Sequence, residues 1–311
     1  MNPASRNRLR ARSQSGFSLI ELMIALLLGL LVSAAAIGMF ISNARTHRTT
    51  ESLSRVQESA RIAFELMARD LREGSGNPCS NELQVTNRVT NYTTNWWSNW
   101  DRAAVSRGVI GYENGALPGT LAGTDAVEVI GASGAGVLVS NHTLGSNTLR
   151  VNNAAHGFVT NDLLMVCDNR LVSIFPATVS GVDIVHPANL GINGTAFTYT
   201  DNAMVSRLMA SRWFVAANGR GGNSLFRTSL RTGAAVQEEV VEGVQDMEIL
   251  YLLPGANAYQ PANNAAVAAR WPEVQAVLVR ISLVGAEADG TDGQALRRQL
   301  EHVVTLRNRN A

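Results

Sequence analysis

The stretch that decides the fold is GFSLIELMIALLLGLLVSAAAIGMFI, residues 16–41. From Phe17 to Ile41 it runs for 25 residues with one charged side chain, Glu21. At about 1.5 Å of rise per residue, a helix of this length crosses the hydrocarbon core of a bilayer with some tilt. The segment before it, residues 1–16, carries four arginines and no acid. Because basic residues stay on the cytoplasmic side, the N-terminus is predicted to lie inside.

Two ordinary membrane segments compete for this stretch. A secretory signal peptide has an apolar region of only about 7–15 residues, followed by a small-residue cleavage site. Here the run is longer, and its nearest site of that kind is SAAAIG at 33–38. A plain single-pass anchor accounts for the apolar run but leaves Glu21 unexplained, since a carboxylate in an apolar helix is costly and usually has a partner.

The residues Gly16-Phe17-Ser18-Leu19-Ile20-Glu21 resemble the type IV prepilin motif. The resemblance implies that a prepilin peptidase cuts between Gly16 and Phe17 on the cytoplasmic side, and that Phe17 is then N-methylated. It also implies a partner for Glu21, the N-terminal amine of a neighbouring subunit in the filament. Two charges in apolar surroundings are tolerated when they are paired, so the implied partner fits the physical requirement.

Beyond Ile41 the chain becomes polar, but no helix breaker occurs before Gly74. Apolar residues recur at spacings of three and four, which predicts one stripe on an amphipathic helix: Leu53, Val56, Ala60, Ala63, Phe64, Met67 and Leu71. Charged residues, with Asp70 among them, are assigned to the solvent-facing side. One helix is therefore predicted from about Phe17 to Arg72. Its first half lies in the membrane or the filament core, and its second half packs on a globular domain.

The remainder of the chain, residues 74–311, reads as strands separated by Gly, Asn, Asp and Pro. The predicted strands are Ala126–Ile130, Gly136–Ser140, Thr148–Asn152, Leu163–Cys167, Ser173–Val179, Ala203–Leu208, Trp213–Ala217, Ser224–Ser229, Gln245–Leu253, Glu273–Val284 and Arg298–Leu306. Within residues 273–284, the apolar set Val277, Val279, Ile281 and Leu283 is predicted to face the core. The fold class is α+β, a long helix on an antiparallel β-rich domain, as in pilins. The predicted division is a cleaved leader 1–16, a membrane helix 17–41, an amphipathic helix 42–73 and a periplasmic domain 74–311.

Three C-terminal segments add a second resemblance. GVQDMEILY at 243–251, WPEVQAVLVRISL at 271–283 and VTLRNR at 304–309 look like the corresponding parts of PilW-type minor pilins. This resemblance implies an inner-membrane prepilin that works with other minor pilins, the major pilin and the assembly platform. It would initiate filament assembly and then lie at the tip, on the cell surface. Two alternative assignments remain open, a J-type minor pseudopilin of type II secretion and a competence pseudopilin.

Tryptophans cluster in NYTTNWWSNW, where Trp96, Trp97 and Trp100 lie among asparagines. Exposed aromatic clusters often mark contact surfaces, so a sugar- or surface-binding patch on a tip adhesin is one reading. The favoured interpretation is a loop that packs its tryptophans on the domain.

The two cysteines, Cys79 and Cys167, form no CxxC motif and are too few for a structural zinc site. If the domain is exported, a single disulfide between them is favoured over two unrelated thiols.

Charge and motifs exclude several classes of function. The net charge is +1, and removing the four leader arginines leaves +1 − 4 = −3, which disfavours nucleic-acid binding. The chain contains no lysine, so a P-loop or a Schiff-base mechanism is excluded. The histidines lack metal-ligand spacing, and no hydrolase or phosphate-loop motif occurs. Neither a catalytic residue, a metal nor a cofactor is predicted. An anchored periplasmic enzyme remains as an alternative without residues to support it.

Overall fold

The computed structural model describes residues 16–74, 79, 83–99, 108–200, 202–285 and 294–306. The chain divides into two compact units, Met1–Glu51 and Ser52–Ala311. One helix, α1, runs from Leu19 to Glu73, 55 residues, and agrees with the predicted helix to within two residues at each end.

The first unit contains the apolar part of α1. Within the described residues, α1 is the one helix long and apolar enough to cross a membrane. Its leucine, isoleucine and methionine side chains between Leu19 and Ile41 are exposed. Since a helix satisfies its own backbone hydrogen bonds, such a surface suits contact with lipid or with other apolar helices.

In the second unit, the predicted stripe of α1 forms part of the main core. Its fully buried apolar residues are Val56, Ala60, Ala63, Met67, Ala68 and Leu71. They join one hydrophobic cluster with residues of both β-sheets, among them Val129 and Val279. The helix ends where Gly74 bridges to Gly131. A Cβ atom at Gly131 would lie 2.4 Å from the carbonyl oxygen of Glu73, so this approach requires glycine.

A sheet of 11 strands forms most of the domain. Its strands are β1 Val85–Asn87, β2 Val109–Tyr112, β3 Ala126–His142, β4 Thr148–Val151, β5 Leu163–Cys167, β6 Val172–Pro176, β7 Thr178–Ser180, β8 Asp183–Val185, β9 Met204–Ala217, β10 Asn223–Arg231 and β11 Ala234–Glu242. The main order is β1-β6-β5-β9-β3-β4-β8-β7, with β10 beside β9, β11 beside β10 and β2 beside β3. All pairs are antiparallel except β1 with β6.

A second sheet has four strands in the order β13-β12-β14-β15. They are β12 Val244–Leu252, β13 Gln260–Pro261, β14 Ala276–Val284 and β15 Arg297–Thr305, and a short helix α2, Ala265–Ala269, follows β13. The chain passes from β11 directly into β12 at Gly243, whose φ is +83°. A Cβ there would lie 2.5 Å from the carbonyl oxygen of Val284, so only glycine permits this change of sheet.

The predicted fold class is confirmed, and the burial of one face of β14 is also confirmed. Val277, Val279, Ile281 and Leu283 are each at most 2% exposed. The opposite face of β14 differs from expectation near its start, because Ala276 and Leu278 are buried too.

Several strand boundaries were wrong. The two strands predicted at 126–130 and 136–140 form one long strand, β3. The two predicted at 203–208 and 213–217 likewise form one strand, β9. Both strands are continuous because β3 and β9 pair with each other, with one register shift between Ser133 and Val137, where Gly134 has a φ of +73°. The strand predicted from Glu273 begins at Ala276, since Trp271–Glu273 forms a 3-10 turn. The segment 173–179 divides into β6 and β7, and β1, β2, β8, β11 and β13 were not predicted.

Candidate functional site

The predicted processing site lies directly before α1. Gly16, Phe17 and Ser18 are outside the helix, and all three are exposed. The Phe17 side chain is 84% exposed, and a Cβ at Gly16 would meet no atom within 4 Å. A peptidase needs a scissile bond that is outside regular structure and reachable, and Gly16–Phe17 has both properties.

Glu21 lies in the first turn of α1 and has a local role that the sequence analysis did not consider. Ser18 precedes the helix: its hydroxyl accepts from the backbone N–H of Ile20 at 3.3 Å, and its carbonyl accepts from Glu21 and Leu22. Ser18 and Glu21 therefore occupy the two side-chain positions of a capping-box sequence. An acid in the first turn also interacts favourably with the helix dipole. The capping position thus gives Glu21 a local explanation that is separable from the predicted subunit docking.

A buried ion pair fastens the end of α1 to the large sheet. Asp70 is 2% exposed and accepts from the Trp213 indole Nε1 at 2.9 Å. Arg227 of β10 donates to both of its carboxylate oxygens, at 2.9 and 2.8 Å. The assignment of Asp70 to the solvent-facing side was therefore wrong. The signal was present, since Asp70 lies seven residues after the buried Ala63 and so on the same helix face.

The structure joins Cys79 to Cys167 by a disulfide bond. Cys167 is fully buried in β5, whereas Cys79 is exposed in the segment after α1. The two residues are 88 positions apart, so the bond closes a long loop between the end of the helix and the centre of the large sheet.

Removing this bond is expected to destabilise the domain substantially. A disulfide that closes a loop of 88 residues reduces the conformational entropy of the unfolded chain. Its loss is therefore expected to lower the free energy of unfolding by roughly 3–5 kcal/mol. We expect the double variant Cys79→Ala, Cys167→Ala to show a lower urea midpoint than the oxidised parent chain. Addition of a thiol reductant should lower the parent midpoint toward that of the variant and leave the variant unchanged. A urea midpoint of the parent chain that does not change on addition of the reductant would contradict the prediction.

The tryptophan segment packs on the large sheet. Trp96 and Trp97 are half-buried and contact the cluster that contains Val85, Ile130 and Met165. The guanidinium of Arg212 lies 4.1 Å from the centroid of the Trp96 ring and covers one of its faces. Trp97 meets Trp96 edge to face. Trp100 lies outside the described residues. The contacts of Trp96 and Trp97 agree with the favoured interpretation, in which the loop packs its tryptophans on the domain.

A buried histidine pair was not anticipated. His142, at the end of β3, and His186, just after β8, meet edge to face at 5.2 Å between ring centroids. His142 Nδ1 accepts from the backbone N–H of Tyr199, whereas His186 Nδ1 lies 2.8 Å from the Pro187 carbonyl and donates to it. Burial lowers the pKa of both rings. The pKa of His186 falls to about 4, and the neighbouring His142 adds to the decrease.

This pair predicts loss of stability in acid. Because the folded-state pKa of His186 is lowered, the unfolded chain binds more protons below about pH 6.5, and stability falls as the pH decreases toward about 4. Burial raises the pKa values of Asp125 and Glu128, which act in the opposite direction. The histidine contribution is therefore measured as a difference. His186→Phe is expected to flatten the decrease in unfolding free energy between pH 6.5 and 4, relative to the parent. If the unfolding free energies of parent and variant depend on pH with equal slopes, His186 is not the source of the decrease.

The segment 243–251, one of the three that carried the second resemblance, joins the two sheets. Val244, Met247 and Tyr251 are fully buried in the main core. Asp125, between β2 and β3, donates its backbone N–H to the Met247 carbonyl at 2.8 Å, and its carboxylate accepts from the Ile249 N–H at 2.8 Å. The motif residues therefore position the small sheet against the large one.

Two family models match the chain. Residues 11–37 match the prokaryotic N-terminal methylation motif, and residues 212–299 match Type IV Pilus-assembly protein W. The first match contains the processing segment and the start of α1. The second extends from the end of β9 to the start of β15 and includes the β11–β12 corner. Neither a curated protein nor a solved structure matches the chain significantly.

Proposed function

We propose that this chain, a PilW-type pilin by its two family matches, is a minor pilin that initiates assembly of a type IV pilus and then lies at the filament tip. It inserts in the inner membrane through α1, with its N-terminus in the cytoplasm and its β-domain in the periplasm. Prepilin peptidase removes residues 1–16, and Phe17 is N-methylated. Its partners are other minor pilins, the major pilin and the assembly platform, and its role is structural rather than catalytic.

The observation that carries this proposal is the position of the processing motif. Gly16 and Phe17 form an exposed, non-helical segment, and the apolar part of α1 begins two residues later. A protease site on the cytoplasmic side of a membrane helix requires this order, because the bond must be cut without unwinding the helix. The Type IV Pilus-assembly protein W match supports the choice of filament.

The test is the intact mass and N-terminal sequence of the protein isolated from membranes, with and without the host's prepilin peptidase. We expect a chain that begins at N-methylated Phe17 when the peptidase is present, and a chain that still carries residues 1–16 when it is absent. An uncut chain in both strains, or a cut near residue 38, would overturn the proposal.

Substitutions at Glu21 separate its two roles. Glutamine is accepted at this position of a capping box, so Glu21→Gln should preserve the start of α1 while removing the charge. If Glu21 pairs with the terminal amine of a neighbour, Glu21→Gln should be inserted and cleaved normally but recovered in sheared filaments at a level reduced roughly tenfold or more. Glu21→Asp, which keeps the charge, should be less impaired. Normal filament incorporation of Glu21→Gln would assign the residue to helix capping alone.

A J-type minor pseudopilin of type II secretion is the second candidate, because the N-terminal methylation motif fits both machines. The two are distinguished by deleting the gene and scoring surface pili and protein secretion separately. Loss of pili with normal secretion supports the pilus assignment, and the reverse supports the pseudopilin.

A tip adhesin that uses Trp96 is less well supported. Sugar rings stack on open aromatic faces, and one face of Trp96 is covered by Arg212. A glycan-binding screen of the full chain, with Trp96→Ala as the comparison, tests this alternative.

A further inference from the structure

Two arginines of α1, Arg45 and Arg48, lie directly beyond its apolar part. They are about one and two helical turns past Ile41, the last residue of the apolar run, which corresponds to about 6 and about 10 Å along the helix. The headgroup layer on each side of a bilayer is roughly 5–8 Å thick. Long arginine side chains bend toward that layer from either side. When the apolar run spans the membrane, both guanidinium groups therefore reach the lipid phosphates.

This chain does not neutralise the charge of the two arginines. Both side chains are exposed, and within the described part of the chain no hydrogen bond or ion pair joins either guanidinium to another residue. Glu51, the acid nearest to them in sequence, already has an interaction of its own. The counter-charge must therefore come from outside the chain.

The hydroxyl groups of the same segment are satisfied by the helix itself. Each donates to the backbone carbonyl four residues earlier, at 2.9–3.0 Å, and the residues are Thr46, Thr49 and Thr50. Such hydroxyls need no partner at a membrane surface. The two arginines are thus the charged groups of this segment that have still to be paired.

The geometry of the pair suits phosphate. Residues three positions apart are neighbours on one side of a helix, so Arg45 and Arg48 present their charges together. A guanidinium group matches two oxygens of a phosphate with parallel N–H donors. A cation next to a membrane that contains anionic lipid gains roughly fivefold in local binding. Two such cations at headgroup level therefore select anionic phospholipids from the lipids around the helix.

We propose that Arg45 and Arg48 bind the phosphate groups of anionic phospholipids in the leaflet where α1 leaves the membrane, and that this contact fixes the depth of the helix. The inference rests on the insertion of α1 in the proposed function and adds a lipid partner to it. An acidic side chain of another protein is the alternative occupant. Lipid is favoured because phosphates lie beside both arginines for as long as the chain remains in the membrane.

The test uses the full chain in vesicles of phosphatidylcholine that contain a minor share of phosphatidylglycerol. A fluorophore is attached at Thr46→Cys, the one free thiol, since Cys79 and Cys167 are bonded to each other. A trace of either lipid carries a nitroxide near the top of one acyl chain. Because a nitroxide quenches only at close range, lipids near the leader arginines on the opposite side do not contribute. At low salt, labelled phosphatidylglycerol should quench roughly fivefold more strongly than labelled phosphatidylcholine.

Matched variants identify the residues responsible. Arg45→Gln combined with Arg48→Gln should make the two labelled lipids quench about equally. Lysine at both positions keeps the charge and should retain most of the preference. Arg297→Gln combined with Arg298→Gln removes the same charge from exposed residues of β15 and should leave the preference unchanged.

The possible results separate this inference from the proposed function. Equal quenching by the two lipids in the parent chain would overturn the inference and leave the arginines to a protein partner. A preference that survives the double glutamine change at Arg45 and Arg48 would overturn it as well. In both cases the chain would still resist extraction from the vesicles by alkaline carbonate. A chain that carbonate removes is not inserted, which would overturn the proposed function together with this inference.

Discussion

Valine in place of Gly16 is expected to abolish removal of the leader and leave a full-length chain in the membrane. A peptidase that cuts after glycine accommodates no side chain beside the scissile carbonyl, and a β-branched one also restricts the extended backbone. The chain itself should be unaffected, because a Cβ at Gly16 would meet no atom within 4 Å. The measurement is the intact mass of the membrane-extracted protein from a strain that has the peptidase.

The matched control is Gly29→Val. Gly29 also has no atom within 4 Å of an added Cβ, and it lies in the same apolar stretch but away from the processing site. It should be cleaved normally. If Gly16→Val is processed as well as the parent, then Gly16 does not define the cut, and the leader assignment fails.

Alanine in place of Asp70 should lower the free energy of unfolding by about 3–5 kcal/mol. The substitution leaves Arg227, whose side chain is 21% exposed, without its closest carboxylate, and it leaves the buried Trp213 N–H without an acceptor. Urea unfolding of the mature chain in detergent, followed by tryptophan fluorescence, measures the change. Asp70→Asn keeps an acceptor for Trp213 and should therefore be less damaging.

The pair Arg150–Asp183 provides a control with the same geometry at the surface. Arg150 also donates through Nε and Nη2, at 2.8 and 3.1 Å, to both oxygens of its aspartate. Its side chain is 56% exposed, so water replaces the lost contact in Asp183→Ala, and little change is expected. Equal losses for Asp70→Ala and Asp183→Ala would show that burial is not the source of the effect.

The helix and the β14 face were accessible from sequence because each depends on a short-range period. Spacings of three and four placed Val56, Ala60 and Met67 in the core, and alternation did the same for Val277 and Val279. These patterns repeat along one element, so no knowledge of its neighbours is needed.

What could not be predicted depends on pairing between distant segments. The polar middle of β3 is a strand only because β9 lies beside it, and the end of α1 is fixed by Arg227, 157 residues away. The His142–His186 contact likewise joins two segments whose sequences show no shared pattern. Such features follow from tertiary neighbours, which override local preference.

The predicted processing residues belong to a third category. Gly16, Phe17 and Glu21 were identified from a sequence motif. In the predicted function, a peptidase would recognise Gly16 and Phe17, and a neighbouring subunit would bind Glu21. Their local geometry, an exposed segment followed by a capped helix, is compatible with that reading. It supplies a second reason for Glu21 that the motif alone did not suggest.

The composition of the main core has a consequence for the order of events during synthesis. The stripe from Val56 to Leu71 is covered by residues as distant as Val304 and Leu306. When the helix first leaves the ribosome, the strands that complete this core have not yet been made. The core around its apolar face is completed only when nearly the whole polypeptide has emerged, and contacts of such long sequence separation form slowly. A chain that stops before β14 and β15 would therefore leave this core incomplete and its apolar residues accessible to quality-control proteases and chaperones.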